Sequence, residues 1–596
     1  MTVKEKFQGF KQKFSNISLP AFIPRLREID EEVFVQKYST PLDADGEKIP
    51  SDNKVRFTLD REQKEIKYEV RDEANRKWWA LFDEFEYKEH RTGENVTEHK
   101  WYHWFDVNDS PEERRVIIKI DIVLCFFSFV MYWVKYLDQS NLNNAYVSGM
   151  KEDLGMKGND LVNTQVVYTV GSVVFQLPMM YLIHRYPTHI LLPAMDIAWG
   201  LFTLAVYRST SVGMLQALRF FVGVFESAFY PTIHYLYGSW YKPSEYTRRG
   251  GIYYFGQMLG LLTSGLVTAS CVENLTGVNG LDGWRWMYIV DAIITIPVAI
   301  IGFFVLPGVP KKCYSLFLTD EDIFIARERL RKANIALETE GPQFFNIQLW
   351  KDLLWDWKYY MFVFLNIWGW NNSNGSSGAY LLWLKSLKEY SIPLVNQYST
   401  ITPALGIIWI YMTGALADHA RSRWGALIFS QTFNLLGNIL LAVWYIPKGA
   451  IWFGFCLQYF GWASSAVNYS WASDAMRHNP QHRAITVVSM NMIGQATTAF
   501  TSVLVWKTVE APRFLKGYSF TGTVAFVMMI WGTLILPLYK KEERKYAHEQ
   551  GILLYNSAKG EVPPEIPPVA PSALSDSDEI EREHFVIDDL SDEKKQ

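Results

Sequence analysis

The chain has 596 residues with a net charge of −4, and 49% of the residues are hydrophobic and 16% aromatic. No basic stripe is present that could neutralise phosphates, so the charge argues against nucleic-acid binding. The four cysteines are scattered without ligand-like spacing, which argues against a disulfide framework and a metal site. A mean hydropathy of -0.03 conceals a sharp division between charged ends and long apolar runs.

Residues 1–115 form a charged N-terminal arm, which we expect to be cytosolic. Within the arm, the segment 68–90 predicts a short amphipathic helix with Trp78, Trp79 and Phe82 toward one side. Such an arm would pack on the membrane domain or lie at the level of the lipid headgroups, and a site for a regulatory partner is the alternative.

Twelve apolar runs follow, each close to the roughly 20 residues that a helix needs to cross a bilayer. We number them as crossings 1 to 12: 117–137, 162–183, 190–208, 214–239, 250–271, 284–306, 360–384, 396–417, 424–445, 450–473, 485–506 and 517–538. They form two sets of six, within 116–306 and 358–540, separated by a charged cytosolic connector, 307–357. This layout predicts an all-α membrane protein with twelve transmembrane helices in two six-helix bundles and a solute site between them. In the connector, Thr319 and Asp322 predict a helix cap.

Basic residues outside the first and last crossings set the expected orientation. Arg114 and Arg115 precede crossing 1, and Lys540 and Lys541 follow crossing 12, so both termini are expected to be cytosolic. The tail, residues 541–596, is proline-rich and then acidic, a composition that predicts a disordered segment. Cytosolic regulators of the tails are candidate partners, along with membrane lipids.

Crossing 4 carries Arg219, Glu226 and His234 within an otherwise apolar run. A charge at membrane depth costs a few kcal/mol on insertion scales, so such residues usually face a partner or a water-filled path. Arg219 and Glu226 are seven positions apart, which places them on nearly the same helix face, about 10 Å apart along the axis. We expect this face to line the path of an anionic solute.

Lys135 and Asp138 lie near the predicted outer end of crossing 1, where we expect them to form an outer charged pair. Arg219 and Lys135 would bind the anion. A carboxylate beside a cation can load and release a proton as the cation is engaged or freed, so Glu226, with Asp138 and His234, is assigned to proton coupling. The alternative is an Arg219–Glu226 ion pair that only holds helices together.

Two further carboxyl groups are given less weight. Asp196 and Asp291 lie near the ends of crossings 3 and 6, where interfacial water makes a charge inexpensive. They are therefore not our first choice for the site.

Crossing 7 is unusually polar around Gly375 and Gly378, which predicts a broken or loosely wound segment that lines a cavity. Its amides and hydroxyls are assigned to hydrogen bonding with the solute, and helix packing through small residues is the alternative. The residues of crossing 7 that we assign to solute binding are Asn371, Asn374 and Ser377. Tyr230 of crossing 4 is assigned to the same role.

Several segments, in order along the chain, carry a family resemblance. They include YLDQSNLNNAY in crossing 1, RFFVGVFESAFYPTIHYLYGSWY in crossing 4, GLDGWRWMYIVDA entering crossing 6 and LPGVPKKCYSLFLTDED after it. The chain resembles the fungal allantoate permease branch of the major facilitator superfamily, in its anion:cation symporter group. Within that branch it most resembles long-tailed yeast permeases, including those linked to ethionine sulfoxide resistance and to vitamin H uptake. The resemblance implies the major facilitator fold.

The resemblance also implies roles for individual residues. In this group the arginine and glutamate of the fourth span are associated with anion binding and proton coupling, and they match Arg219 and Glu226. The first span usually reads Leu-Asp-Arg, whereas here Asp138 is followed by Gln139. Lys135, one turn earlier, would replace the missing guanidinium as a point charge without the bidentate fork. Loop signatures after crossings 2 and 8 imply an inside gate, formed by Arg185, Asp418 and Arg423.

The function that we predict is secondary active uptake of a small organic anion with protons across the plasma membrane. The resemblance implies carboxylates, vitamins or sulfur-containing compounds as solutes. A nutrient sensor on the same fold and a proton antiporter that exports drugs are the alternatives. No Walker A run, Gly-x-Gly-x-x-Gly after a strand, HExxH or Gly-x-Ser-x-Gly is present, so neither an enzyme nor a cofactor is expected.

Overall fold

Helices dominate the part of the chain that the computed structural model describes. That part comprises residues 24–38, 68–74, 104–105, 109–332, 346–372, 378–420, 422–476, 479–549 and 552–565. Residues 1–34 and 110–533 form one compact unit, and residues 35–109 and 534–596 form another.

The predicted crossings correspond to the following helices. Crossings 1 to 6 are Pro111–Asp153, Asp160–Arg185, Thr188–Ala205, Val212–Glu226 with Phe229–Trp240, Pro243–Asn274 and Gly283–Val305. Crossings 7 to 12 are Trp357–Asn371 with Ala379–Ser386, Ile401–His419, Arg423–Val443, Lys448–Leu457 with Phe460–Ala463 and Ser465–Ala475, Pro480–Val505 and Leu515–Glu549. Shorter helices are Glu31–Tyr38, Asp320–Lys332, Ile347–Trp355 and Ile392–Tyr398.

Nine helices of the described residues are long and apolar enough to cross a membrane. Crossings 7, 10 and 11 complete the predicted set. Crossing 7 ends its first helix at Asn371 and begins its second at Ala379, so the predicted interruption is present. Crossing 10 consists of three short helices, and crossing 11 is one unbroken helix of 26 residues.

Crossing 1 is longer than predicted. A capping box of Ser110 and Glu113 starts the helix, and the helix continues beyond residue 137 through the polar stretch that follows. Asp138, Asn141 and Asn144 are buried there, because this face points into the protein rather than toward water. Lys135 and Asp138 therefore lie well inside the helix, and their predicted place near its end was wrong.

Close helix contacts occur within each bundle and between the two bundles. Crossing 1 packs on crossing 5, where a Cβ on Gly256 or Gly260 would come within 2.5 Å of the carbonyl oxygen of Phe129 or Trp133. Between the bundles, crossing 5 packs on crossing 8 and crossing 2 on crossing 11. The glycines of crossing 5 are thus packing residues, and they fix the face of crossing 1 that carries the charged side chains.

The connector helix Asp320–Lys332 is anchored to the first bundle. The predicted cap is present, since Thr319 Oγ1 accepts from the Asp322 backbone N–H at 3.2 Å. Arg329 is fully buried and donates to Glu245 Oε1 at 2.7 Å and to the Trp240 carbonyl at 3.1 Å. The strands β2 (Gly308–Val309) and β3 (Lys312–Cys313) form a small hairpin before this helix.

A pair of strands lies in the second unit. Strand β1 (Glu69–Asp72) pairs in parallel with β4 (Ile552–Tyr555), and Arg544 forms ion pairs with Glu73 and Glu561. The sequence predicted a helix from residue 68 and disorder from residue 541. Instead β1 occupies residues 69–72, and crossing 12 continues as a helix to Glu549 before β4 begins. Most of the predicted arm helix and residues 566–596 lie outside the described residues.

The Arg329–Glu245 pair predicts a pH-dependent stability. Glu245 precedes the apolar part of crossing 5, which begins at Arg248. Burial alone would raise the pKa of Glu245, but Arg329, Lys242 and Arg249 outweigh burial and hold the pKa at about 2. A lowered pKa in the folded state adds stability above the unfolded value, 4.5, and this stability is lost as the pH falls toward 2.

We predict that Glu245→Gln lowers the thermal unfolding midpoint in detergent at pH 7, because it leaves the Arg329 guanidinium buried and unpaired. Loss of one partner of a buried pair costs about 3 to 5 kcal/mol. The difference from the parent should shrink between about pH 4.5 and pH 2, as Glu245 of the parent becomes protonated. Glu273→Gln, an exposed position on the same helix, is the matched control. A difference that stays constant with pH would contradict the assignment.

Candidate functional site

Two ion pairs connect crossings 1 and 4 in the interior of the first bundle. Lys135 Nζ lies 3.1 Å from Glu226 Oε1, and Arg219 Nη1 lies 3.4 Å from Asp138 Oδ1. The side chains of Arg219, Asp138 and Glu226 are 3% exposed or less, and that of Lys135 is 11% exposed. The structure therefore brings together all four charged residues that the sequence singled out in these two helices.

The pairing differs from both sequence-based interpretations. Lys135 does not pair with Asp138, and Arg219 does not pair with Glu226. Crossings 1 and 4 run in opposite directions, so the earlier residue of one helix meets the later residue of the other. Lys135 accordingly contacts Glu226, and Asp138, one turn further along, contacts Arg219.

Three neutral side chains complete the surroundings of the pairs. Gln139 Nε2 donates to Glu226 Oε1 at 2.8 Å and contacts the Tyr168 hydroxyl, whose ring lies under the Arg219 guanidinium at 5.4 Å. Thr203 Oγ1 donates to Asp138 Oδ2 at 3.1 Å. Tyr168 and Thr203 were not predicted, because a single hydroxyl in an apolar crossing has no distinctive spacing. Gln139, which departs from the family pattern, was the available signal.

Asp196 and Asp291 are buried, contrary to the expectation that they reach interfacial water. Asp196 is 3% exposed and accepts a hydrogen bond from Trp199 Nε1 at 3.0 Å. Asp291 is fully buried beside Asp138 and Asn141. Both side chains point into the first bundle, so their distance from the helix end did not decide their exposure.

His234 and Tyr230 lie together in an aromatic group further along crossing 4. The His234 Nδ1 atom contacts the Tyr246 hydroxyl, and the imidazole stacks on Tyr469 of crossing 10 with ring centroids 5.5 Å apart. Tyr230 forms a hydrogen bond with Tyr254 and also lies 5.5 Å from the Tyr469 ring. Both residues contact Tyr469 of the second bundle, and the contacts described for His234 are with tyrosine side chains.

Asn371 forms hydrogen bonds with two threonines of crossing 11. Its Nδ2 atom donates to Thr497 Oγ1 at 2.7 Å, and its Oδ1 atom accepts from Thr501 Oγ1 at 2.6 Å. Asn374 and Ser377 lie outside the described residues. The neighbouring Asn372 donates to Gln431 Oε1 of crossing 9 at 3.0 Å, so two other helices hold the end of the first helix of crossing 7.

The three predicted gate residues have different surroundings. Arg185 is exposed and donates to the Tyr181 hydroxyl at 3.0 Å. Arg423 forms an ion pair with Asp474, which joins crossings 9 and 10. The side chain of Asp418 is outside the described part of the structure. Arg423 therefore fixes two helices of the second bundle to each other.

The two bundles touch on both sides of the charged pairs. On the side opposite the connector, Asn396 Nδ2 donates to Ser148 Oγ at 3.0 Å and Lys385 Nζ donates to the Val147 carbonyl at 2.9 Å. Toward the connector, Tyr469 packs on His234 as described above. These contacts join the two bundles on both sides of the charged pairs.

Double-mutant cycles should reproduce the observed pairing. Removing one member of a buried ion pair costs about 3 to 5 kcal/mol, largely because the other charge stays buried and uncompensated. Stability in detergent should therefore be lost in Glu226→Gln and partly regained when Lys135→Gln is added. The same pattern is expected for Asp138→Asn with Arg219→Gln. The crossed combination, Lys135→Gln with Asp138→Asn, is the control, and a larger coupling there would contradict the pairing.

Comparison with known proteins places the chain in a family. A sequence model of the Major Facilitator Superfamily matches residues 128–502. The vitamin H transporter of Saccharomyces cerevisiae is 40% identical over 577 residues, which cover 92% of this chain and 96% of that protein. The pantothenate transporter liz1 of Schizosaccharomyces pombe is 31% identical over 437 residues, with coverages of 72% and 84%.

Among solved structures, the xylose transporter XylE of E. coli, in a partially occluded inward-open conformation, resembles the chain with a TM-score of 0.52. The identity is 11%, over 69% of this chain and 97% of that one, so this likeness concerns the fold alone. It confirms the predicted architecture of two six-helix bundles. The two curated relatives are named as transporters, in agreement with the prediction that the chain is not an enzyme. The chain is thus a multi-pass membrane transporter that belongs to the Major Facilitator Superfamily.

Proposed function

We propose that the protein takes up a small organic anion together with protons across the plasma membrane. The observation that carries this proposal is the Lys135–Glu226 pair, in which a buried cation is already neutralised by a buried acid at 3.1 Å. Glu226 Oε2 is buried without a hydrogen-bond partner among the described residues. This oxygen is the atom of the pair that is free to take up a proton.

Protonation of Glu226 would couple the proton to the solute. Once Glu226 is neutral, the Lys135 charge is unbalanced in a low-dielectric interior, at a cost of several kcal/mol. An incoming carboxylate that takes the place of Glu226 relieves this cost. Gln139 would support both states, because its amide supplies a donor to ionised Glu226 and an acceptor to the protonated acid. Proton and anion therefore bind more strongly together than separately.

The membrane potential would act on whatever net charge the loaded site carries. A monoanion with one proton moves no net charge, whereas a second proton makes the loaded site positive. Each charge moved is driven by about 2.3 kcal/mol per 100 mV. The second buried pair, Arg219–Asp138, offers a place where a further proton and the anion could exchange in the same way.

The relatives favour a carboxylate vitamin as the solute. They are named for vitamin H, which is biotin, and for pantothenate, and both compounds are monocarboxylates. We place the chain in the allantoate permease branch of the anion:cation symporter group, next to permeases linked to ethionine sulfoxide resistance. An even number of crossings puts both termini on one side, and the basic flanks of crossings 1 and 12 favour the cytosol. We propose that the two six-helix bundles comprise residues 116–306 and 358–540.

An uptake screen in yeast cells that lack biotin and pantothenate uptake tests the solute class. We expect cells that express the chain to accumulate labelled biotin or pantothenate, and a protonophore to abolish the accumulation. A sensor would leave the intracellular label unchanged. An exporter would instead reduce the accumulation of cationic dyes. Accumulation that survives collapse of the proton gradient would contradict proton coupling.

Glu226→Gln should abolish accumulation driven by a pH gradient but retain exchange of solute across the membrane. The amide cannot take up a proton, while Lys135 stays available to an anion. Labelled-solute uptake and counterflow in membrane vesicles measure the two activities. Asp153→Asn, which removes a carboxylate paired with Arg285 outside this site, is the control. Uptake by Glu226→Gln with the pH dependence of the parent would count against the assigned role.

A further inference from the structure

Buried acids outnumber buried cations around the two pairs. Asp138, Glu226, Asp196 and Asp291 are each 3% exposed or less, whereas the cations that contact them are Lys135 and Arg219. The two ion pairs already use both cations. If all four acids were ionised, the group would carry two uncompensated negative charges in the interior of the bundle, which is strongly unfavourable.

Asp291 is the acid with the least compensation. The ionisable groups that face it are Asp138, Arg219 and Tyr288, and the Asn141 amide is the nearby neutral group. Neither carboxyl oxygen of Asp291 has a hydrogen-bond partner among the described residues. Arg219 Nη1 is directed to Asp138 rather than to Asp291. As an ionised group, Asp291 would therefore repel Asp138, with the Asn141 amide as the neutral group near enough to compensate.

We propose that Asp291 holds a proton and donates its O–H to the Asp138 carboxylate. The two acids then share a single negative charge, which the Arg219 guanidinium balances. The proton also explains why one Asp291 oxygen lacks a donor, since the oxygen that carries the proton is itself the donor. No bond is broken in this arrangement, and the single proton stays on Asp291 as Asp138 accepts the hydrogen bond.

The role of this acid pair in transport rests on the proposed function. With one proton already resident, a second proton on Asp138 would leave the pair neutral and Arg219 without its counter-charge. Arg219 would then be free to bind an anion, as Lys135 is when Glu226 is protonated. Asp291 would act as a positioning residue, because it sets the charge of Asp138 and does not itself contact the solute.

Infrared spectroscopy of the purified full-length protein at neutral pH tests the proposal without any solute. A protonated carboxyl group has a C=O absorption that an ionised carboxylate lacks. We expect Asp291→Asn to remove one component of this absorption. Asp291→Glu should keep the component at a shifted position, which guards against a variant that simply fails to fold. Asp138→Asn should also shift it, because the acceptor of the O–H changes from a charged oxygen to a neutral one.

The control is Asp153→Asn, which removes an acid that is paired with Arg285 outside the buried group and should leave the absorption unchanged. An unchanged absorption in Asp291→Asn would overturn the proposal, since Asp291 would then be ionised. A C=O component that does not shift in Asp138→Asn would contradict the pairing of the two acids. Failure of the parent to accumulate labelled biotin or pantothenate would instead count against the proposed function, and would leave the infrared result standing.

Discussion

Charge balance in a medium of low dielectric constant is the constraint on which the interior of this transporter depends. Two cations and four acids are buried around the two ion pairs of the first bundle. Each cation is therefore tied to an acid on an opposing helix at 3.1 or 3.4 Å. A site of this kind is stable only while its net charge is near zero, so any ion that enters must be matched by another. The coupled transport that we propose would satisfy this requirement.

Helix packing is what brings these charges into register. Crossing 1 lies so close to crossing 5 that no Cβ fits at Gly256 or Gly260, which fixes its rotation. Its polar face, from Lys135 to Asn144, is consequently buried rather than exposed at the membrane surface. The connector helix, through Arg329, ties the ends of crossings 4 and 5 to the same rigid group. The two ion pairs thus belong to the first bundle, and the second bundle contributes contacts on either side of them.

Much of this could be predicted from the sequence, and the part that could not has a physical reason. Apolar runs and their grouping gave the twelve crossings and the break in crossing 7. Arg219, Glu226, Lys135 and Asp138 were recognised because ionised groups are costly in lipid. Which of them pair was not predictable, since spacing along one helix does not reveal the register against another. Asp291 and Asp196 were discounted from their distance to a helix end, although the direction of the side chain decides burial. The pairing of β1 with β4 joins residues almost 500 positions apart, and no local pattern announces it.

The contacts between the bundles on both sides of the charged pairs bear on whether protons can cross the membrane without solute. Asn396 meets Ser148 and Tyr469 meets His234 in the same structure, so the bundles touch on both sides of the charged pairs. A carrier that held a proton but no solute would have to pass through this state with Lys135 unbalanced, and the energy of doing so makes the passage rare. Under the proposed proton coupling, this cost would limit the leakage of protons in the absence of solute.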